Sequence, residues 1–339
     1  MKNILFAFIV GMLLNSSLCE GQKEVEFVNI NGSVFGSSYS VIYENSKKHT
    51  PDELKRNTEK LLLDFKKSLS SYDTTSLLSR INRNEDLKVD AYFEELYNKS
   101  VMISEISGGV FDITVGPLVR AWGFGPDRYK NFTEQKLDSL LDLVGMDKIK
   151  LENGKIVKSN PNIILDFNAI SKGFSVDVVA RYFDKLGIKN YLIEIGGEIR
   201  AKGTRNGNFW RVGIDKPEDT NFMKGQAGIQ AIIRITDRSM ATSGNYRRFY
   251  IEDGVKYSHS IDPRTGYPIK NRLLSVTVFA NECGIADGIA TVCMVLGLED
   301  AIEFLNSHPE YSAFMIYSDD NGEFETWMSE SLKEYITEN

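Results

Sequence analysis

Three polar segments of this chain hold residue types suited to charge-neutralising chemistry on phosphates, and a fourth set holds flat rings beside glycines. The first segment is Asp166-Phe-Asn-Ala169-Ile-Ser-Lys172-Gly173, where an apolar run ends and a helical pattern begins. Backbone N–H groups at a helix start attract anions, a lysine adds a point charge, and glycine permits close approach, so the turn suits a phosphate. It lacks the G-x-x-x-x-G-K-[ST] spacing of a P-loop, and an ordinary cap at Ser171 with a solvated Lys172 accounts for it equally well. The second runs from Ser258 to Gly266 and contains His259, one of only three histidines, among Ser, Asp, Arg and Thr. An imidazole there suits acid–base work, while Asp262-Pro-Arg-Thr-Gly266 also reads as a plain β-turn beside a surface histidine. In the third, Asp287 and Thr291 stand four apart and share one helical face. A carboxylate and a hydroxyl are hard oxygen donors of the kind Mg²⁺ takes together with waters and ligand phosphates; a helix cap with a back-bonded threonine is the alternative. The rings lie in Phe35-Gly-Ser-Ser-Tyr39, Ser70-Ser-Tyr72-Asp73, Gly109-Val110-Phe111-Asp112-Ile-Thr114 and Trp122-Gly-Phe-Gly125. They suit a flavin or adenine ring, or a hydrophobic core.

Positioning these groups requires a mixed set of elements. Strands over 24–30 and 37–43 flank Asn31-Gly32, a strong two-residue hairpin signal. Thr50, Pro51 and Glu53 form a capping box with proline at the first helical position, and Leu54, Leu61, Leu62, Phe65 and Leu69 follow on one face. Further helices are expected over 90–107, ending at Gly108-Gly109, and over 133–144, ending before Gly145. From Asn162 the pattern is strand (163–166), turn, helix (171–186) and strand (191–195), a β-turn-α-β unit. Strands at 210–214, 229–235, 247–251 and 274–278, helices at 284–296 and 298–307, and strands at 313–317 and 324–328 complete the chain. Short loops of the antiparallel kind join most of them, so the fold class is α+β, with largely antiparallel sheets and packed helices in a single domain.

The 339 residues, 42% of them apolar, suffice for a large core, and 47 acidic against 40 basic residues argue against a nucleic-acid binder held by bulk electrostatics. Three cysteines, Cys19, Cys283 and Cys293, form neither a disulfide scaffold nor paired C-x-x-C zinc spacing. Lys2, the apolar run Ile4 to Leu14 and then Asn15, Ser16 and Ser17 follow the order of a secretory signal, too short to span a bilayer. Cleavage after Cys19 leaves residues 20–339 as an exported, periplasmic domain. A lipoprotein anchored to the inner membrane through Cys19 is the alternative, although Leu18 occupies the position where a small residue is expected.

In order, the segments S-x-Y-D, G-x-F-D-x-T, W-G-F-G-P, D-x-x-A-x-x-K-G, G-G-E, A-T-S-G-x-Y, H-x-I-D-P-R-T-G and A-D-x-x-A-T resemble the FAD:protein FMN transferases, the ApbE or flavin-trafficking family, from about Phe35 to Leu305. That resemblance implies an exported Mg²⁺-dependent enzyme moving FMN from FAD to a Thr or Ser hydroxyl of an acceptor protein, such as a redox-complex subunit, with release of AMP. Some family members hydrolyse FAD to FMN and AMP instead, and a flavin-binding protein without turnover is a third reading. Carried over by position, the metal site is the Ala169 carbonyl, Asp287 and Thr291. The FAD contacts are Phe35, Tyr72, Val110, Phe111, Asp112, Asp166, Lys172 and Ile261. By the chemistry of their side chains the catalytic groups are His259, Lys172 and Asp287; the base is His259 or a nearby carboxylate, with His259 ranked first for its suitability at neutral pH. Phe35 stands where the family commonly has methionine, and Asn168 and Ser171 where it has glycine and alanine, which bears on packing near the flavin rather than on the metal site.

Overall fold

The computed structural model describes residues 25–124, 133–217, 228–245, 249–252, 255–258 and 260–338. Numbered along the chain, its main sheet takes the order β1 (Phe27–Val34), β2 (Ser37–Glu44), β5 (Tyr191–Ile195), β6 (Glu198–Lys202), β9 (Ser239–Gly244), β12 (Leu273–Ala280), β13 (Ser312–Ser318), β14 (Phe324–Met328). Every neighbouring pair in it is antiparallel. A smaller sheet orders β15 (Ile336–Glu338), β8 (Ile229–Ile235) and β7 (Trp210–Asp215), and two hairpins pair β3 (Ile149–Glu152) with β4 (Lys155–Lys158) and β10 (Phe249–Glu252) with β11 (Val255–Ser258). The described helices are α1 (Pro51–Leu69), α2 (Leu77–Asn82), α3 (Ala91–Ile106), α4 (Gly116–Ala121), α5 (Leu137–Leu141), α6 (Ser171–Lys185), α7 (Cys283–Leu296) and α8 (Leu298–Ser307). The α+β class with antiparallel sheets is therefore the observed one.

Strand alternation divides the core. On one side of β2 and β5, Val41, Tyr43, Ile193 and Ile195 pack with Leu54 and Leu62 of α1 and Val176, Val179 and Phe183 of α6. On the opposite face, Ile199, Met240, Phe279 and Phe314 meet Trp210, Val212 and Ile233 of the small sheet. The largest cluster joins α3 and α7 to Val276 and Val278 of β12. Helices thus cover one face of the main sheet and the small sheet covers the other, each buried Leu, Ile, Val or Phe side chain contributing roughly 1.5–3 kcal/mol.

The capping box forms as its residues dictate, with Thr50 Oγ1 accepting from the Glu53 N–H at 3.2 Å. Four other expectations need revision. The first hairpin turns at Phe35-Gly36, both at positive φ (52° and 74°), whereas Asn31 and Gly32 lie inside β1 opposite Ser40 and Tyr39. Gly32 is there because a Cβ would sit 2.6 Å from Tyr39 Cε1; the tyrosine ring covers the glycine. The helix expected over 133–144 reduces to one 3₁₀ turn over Glu134–Lys136 and α5, which ends at Leu141; beyond it the Gly145 N–H bonds Thr114 Oγ1 at 2.7 Å. Residues 163–166 form no strand of the sheet: Ile164 makes a single parallel bridge to Val115, and the other side of the segment is held by a side chain. The β-turn-α-β unit is accordingly a clamped loop, α6 and β5. Finally, the strands β3, β4, β6, β9, β11 and β15 and the helices α2 and α4, absent from the sequence reading, are three to six residues long, too brief for a periodic pattern to register.

Candidate active site at the crossing of two helices

The centre of the site is the contact between the first turns of α6 and α7. A Cβ on Gly173 would lie 2.3 Å from the Cys283 carbonyl oxygen and 2.8 Å from Asp287 Cβ, so only glycine allows the two backbones to meet. Gly284 faces Phe174 in return, where a Cβ would stand 3.1 Å from Phe174 Cβ. Asp177 of α6, 6% exposed, ties the crossing by accepting the Cys283 and Gly284 N–H groups, each at 2.8 Å. It caps α7 from another helix and satisfies donors at its start. Burial pushes its carboxyl up to about 6, partly offset by those two hydrogen bonds.

Asp287 sits in the second turn of α7, so it is no helix cap. Its Oδ2 accepts the Gly173 N–H at 2.9 Å, with the side chain 5% exposed. Burial raises its carboxyl to about 6, against the pull of the Lys172 cation and the Gly173 hydrogen bond. One turn on, Thr291 Oγ1 lies 3.3 Å from the Asp287 carbonyl oxygen, the expected back-bond, and also 3.5 Å from the Ala169 carbonyl oxygen. The Ala169 carbonyl, Thr291 hydroxyl and Asp287 carboxylate, 122 residues apart at the extreme, are therefore brought into one neighbourhood. A single carboxylate with a hydroxyl and a carbonyl fits a small hard cation that completes its shell from waters and phosphate oxygens. No group of three or more His, Cys, Asp or Glu suited to a metal occurs among the described residues, so a metal caged by such side chains alone finds no place there.

Lys172, its side chain 37% exposed, is anchored by an ion pair rather than left free in solvent. Its Nζ meets Glu198 Oε1 at 2.7 Å and the Gly196 carbonyl at 3.4 Å. Glu198 is 1% exposed. The cation is thereby held at the same helix start, beside Asp287, with a buried carboxylate behind it. Ser171 opens α6, whose N-cap Ile170 offers no side-chain cap, so the cap reading of Ser171 does not hold.

The loop leading to Ala169 is fixed from behind. Asn82 mimics a strand partner: its Nδ2 donates to the Leu165 carbonyl at 2.9 Å and its Oδ1 accepts the Leu165 N–H at 2.8 Å. The Asp166 N–H bonds the Ile113 carbonyl at 2.7 Å, and Asp166 Oδ1 accepts the Asn168 N–H at 2.7 Å in an Asx turn. Burial shifts the Asp166 carboxyl upward, opposed by the Asn168 bonds and the Arg120 charge. Asp112 makes the same kind of turn with Thr114, N–H at 2.7 Å and Oγ1 at 2.6 Å, and burial raises its carboxyl too.

The rings divide into two groups. Phe35, 38% exposed at positive φ, stands 5.6 Å from Phe65, which in turn is 5.9 Å from Phe174 of α6. Tyr72 is exposed, and Ser71 Oγ lies 3.4 Å from Asn168 Oδ1, which brings the Tyr72 segment to the Asp166 loop. These two are open to a ligand. Val110 and Phe111, by contrast, are buried side chains of the main core, and Ile261 is buried with Leu118, Trp122 and Leu137. Trp122 Nε1 donates to the Gly266 carbonyl at 2.7 Å, and the Gly266 N–H closes the turn on the Asp262 carbonyl at 2.8 Å. Asp262 also pairs with Arg264, so the expected turn is present. His259, Gly125 and Pro126 lie outside the described residues.

Asn82, Asp177 and Glu198 are the site residues that single-residue reasoning missed. Glu198 carried a signal in Gly196-Gly197-Glu198, and Asp177 in being an acid on an apolar helical face; Asn82 carried none.

The ApbE family pattern matches residues 35–315, and the chain belongs to that family. The FAD:protein FMN transferase of Haemophilus influenzae is 36% identical over 98% of both chains. The solved flavin transferase ApbE from Vibrio cholerae superposes with a TM-score of 0.81 at 36% identity, covering 92% of this chain and 99% of its own. The flavinyl transferase ApbE of Pseudomonas stutzeri in its apo form gives 0.81 at 29% identity, covering 92% and 97%.

Proposed function

We propose that this protein is a FAD:protein FMN transferase that uses Mg²⁺, takes a Thr or Ser hydroxyl of an acceptor protein and releases AMP. The observation that carries this reading is the convergence of the Ala169 carbonyl, Asp287 and Thr291 beside Lys172 at the α6–α7 crossing. In the reaction the acceptor oxygen bonds the phosphorus of the FMN half, the pyrophosphate P–O bond breaks, AMP leaves with that oxygen, and the hydroxyl proton passes to a base. Positioning and neutralisation of developing negative charge supply most of the catalysis in such transfers. A bound Mg²⁺ would supply Lewis-acid neutralisation of the phosphate oxygens, held by Asp287, Thr291 and the Ala169 carbonyl.

The chain's own groups have distinct tasks. Lys172, backed by Glu198, presents its ammonium to the pyrophosphate, and the Asp166 and Asp112 turns shape the loops around it. Phe35 and Tyr72 offer ring surface to the isoalloxazine, while Val110, Phe111 and Ile261 back the pocket from the core. His259 is the base, contributing ~10²–10⁴-fold. Residues 1–19 direct export and residues 20–339 form the working domain in the periplasm, with anchoring through a lipidated Cys19 as the alternative. No described helix is long and apolar enough to cross a membrane.

The test incubates the protein with FAD, Mg²⁺ and an acceptor bearing a Thr flavinylation site, followed by intact-mass measurement. The expected result is an acceptor heavier by one FMN phosphodiester, with AMP formed in equal amount. Release of FMN and AMP with an unmodified acceptor would make water the nucleophile; no turnover at all would leave a flavin-binding protein.

A further inference from the structure

The segment that ends at the Ala169 carbonyl has two edges. One leans on the loop of Asp112, through the Ile164–Val115 bridge and the Asp166 N–H on the Ile113 carbonyl at 2.7 Å. The other meets no strand among the described residues. There the Asn82 side chain takes both backbone groups of the fully buried Leu165, the N–H at 2.8 Å and the carbonyl at 2.9 Å. A buried N–H and carbonyl must find partners, and one primary amide supplies an acceptor and a donor side by side, as a strand would. Asn82 is itself held. It is the last residue of α2, and Lys158 Nζ donates to the Ile81 carbonyl at 3.0 Å, the Asn82 carbonyl at 3.4 Å and Asn84 Oδ1 at 3.1 Å, which satisfies carbonyls that the helix end leaves open. The Tyr72 loop hangs on the same helix by other groups: Ser76 Oγ donates to the Ser70 carbonyl at 2.6 Å, and Arg83 Nη1 reaches back to the Thr74 carbonyl at 2.8 Å.

We propose that Asn82 is a positioning residue for the divalent cation, acting through the backbone carbonyl of Ala169. This role rests on the Mg²⁺ reading of the site proposed above. A carbonyl ligand has no rotatable side chain, so its place is the place of its backbone. From Leu165 onward that backbone has little freedom: the Asp166 carboxylate accepts the Asn168 N–H at 2.7 Å, and the Ser171 N–H closes on the Phe167 carbonyl at 2.9 Å as α6 begins. Releasing Leu165 from Asn82 frees one edge of the segment and leaves the Asp112 edge in place, so the carbonyl shifts while the fold persists. Groups standing one step behind a metal ligand govern metal affinity by 10–100-fold in typical sites, and Asn82 is such a group.

Mn²⁺ is the probe, titrated into the full-length protein with FAD present and no acceptor, and free Mn²⁺ is read from its EPR signal. Expected for Asn82→Leu are Mn²⁺ binding weaker by ~10–100-fold, a Mg²⁺ requirement for transfer raised by the same factor, and faster hydrogen exchange at the amides of 165–169. FAD binding without metal should be kept, because the Tyr72 loop is held by Ser76 and Arg83. Asn82→Asp keeps an acceptor for the Leu165 N–H and loses the donor, so it should fall between Asn82→Leu and wild type, and it carries the test if leucine prevents folding. Asn84→Ala separates positioning from mere stability. It removes the bond from Asn84 Nδ2 to the Pro161 carbonyl at 3.0 Å, and a side chain suited to the positive φ of 64°, so it should melt lower yet bind Mn²⁺ as wild type does. Mn²⁺ binding that needs Asp287 but is unchanged in both Asn82 variants overturns the proposal alone, as does an equal loss in Asn84→Ala. Wild type that binds no Mn²⁺ with FAD, or Asp287→Asn that binds it undiminished, removes the cation from the α6–α7 crossing and the role of Asn82 with it.

Discussion

Replacing Gly173 by alanine tests whether the α6–α7 crossing is what assembles the site. The added methyl would meet the Cys283 carbonyl oxygen at 2.3 Å, its carbon at 2.7 Å and Asp287 Cβ at 2.8 Å. Two of these atoms are backbone in the first turn of α7, pinned there by Asp177, so no side-chain rotation relieves the clash. Ordinary contact begins near 3.4 Å, and the helices must part by about 1 Å. Overpacking of this kind costs roughly 1–3 kcal/mol, against which alanine's better helix propensity returns at most ~1 kcal/mol. For a chain of this size each kcal/mol lowers Tm by about 2–4 °C, so a net loss of 1–2 kcal/mol gives a fall of about 2–8 °C. Activity should suffer more than stability. The Gly173 N–H bond to Asp287 lengthens with the separation, and a 1 Å misplacement costs on the order of 10²-fold in rate. Thermal melts and FAD turnover well below Tm are measured for Gly173→Ala beside Gly213→Ala, whose Cβ meets nothing closer than 3.5 Å. Gly213→Ala should be neutral or stabilising by up to ~1 kcal/mol. A Gly173→Ala protein as stable and as active as Gly213→Ala would refute the reasoning.

Three further outcomes are expected. Asp177 has a folded-state carboxyl near 6 against an ordinary value of 3.8, so the folded state binds more protons between those pH values and its contribution to stability falls as pH rises through them. Denaturant titrations should therefore show the difference between wild type and Asp177→Asn moving in the variant's favour by up to ~3 kcal/mol from pH 4 to 7; a pH-independent difference would contradict the shift. Lys172→Met removes the cation from Glu198, which is 1% exposed, and should cost ~3 kcal/mol in urea unfolding; adding Glu198→Gln should recover most of that stability but none of the turnover. Asp287→Asn should reduce flavin transfer at least ~10²-fold at saturating Mg²⁺ while FAD still binds in an absorbance titration, and chelation of divalent cations should reproduce that loss in wild type; turnover unaffected by both would remove the cation from the proposal.

Local sequence determined much of the scaffold. Thr50-Pro-x-Glu53 started α1 and the apolar spacing from Leu54 to Leu69 oriented it, because capping and 3.6-residue periodicity act within a few residues. The same holds for α3, whose Asp90 side chain accepts the Phe93 N–H, and for the Asp262–Gly266 turn, closed by the Gly266 N–H on the Asp262 carbonyl. Asp287 and Thr291 were legible as a pair because four residues on a helix are neighbours whatever surrounds them. What joins them to Ala169, 122 residues earlier, is the helix crossing, and a crossing is a property of two surfaces in contact. Gly173 in isolation reads as room for a phosphate to approach; the opposing Cys283 carbonyl shows that the backbone of α7 takes that room. Lys172 reads as solvated until β6 brings Glu198 to it, and Asp177 reads as an acid on the wrong face until the start of α7 supplies two donors for it. The hairpin shows the same division. Asn31-Gly32 has the local chemistry of a turn, but Tyr39 packs over Gly32 and the strands run on to Phe35-Gly36. Packing across the strands outweighed the local preference, since burying a tyrosine ring at 1% exposure is worth more than the difference between two turns.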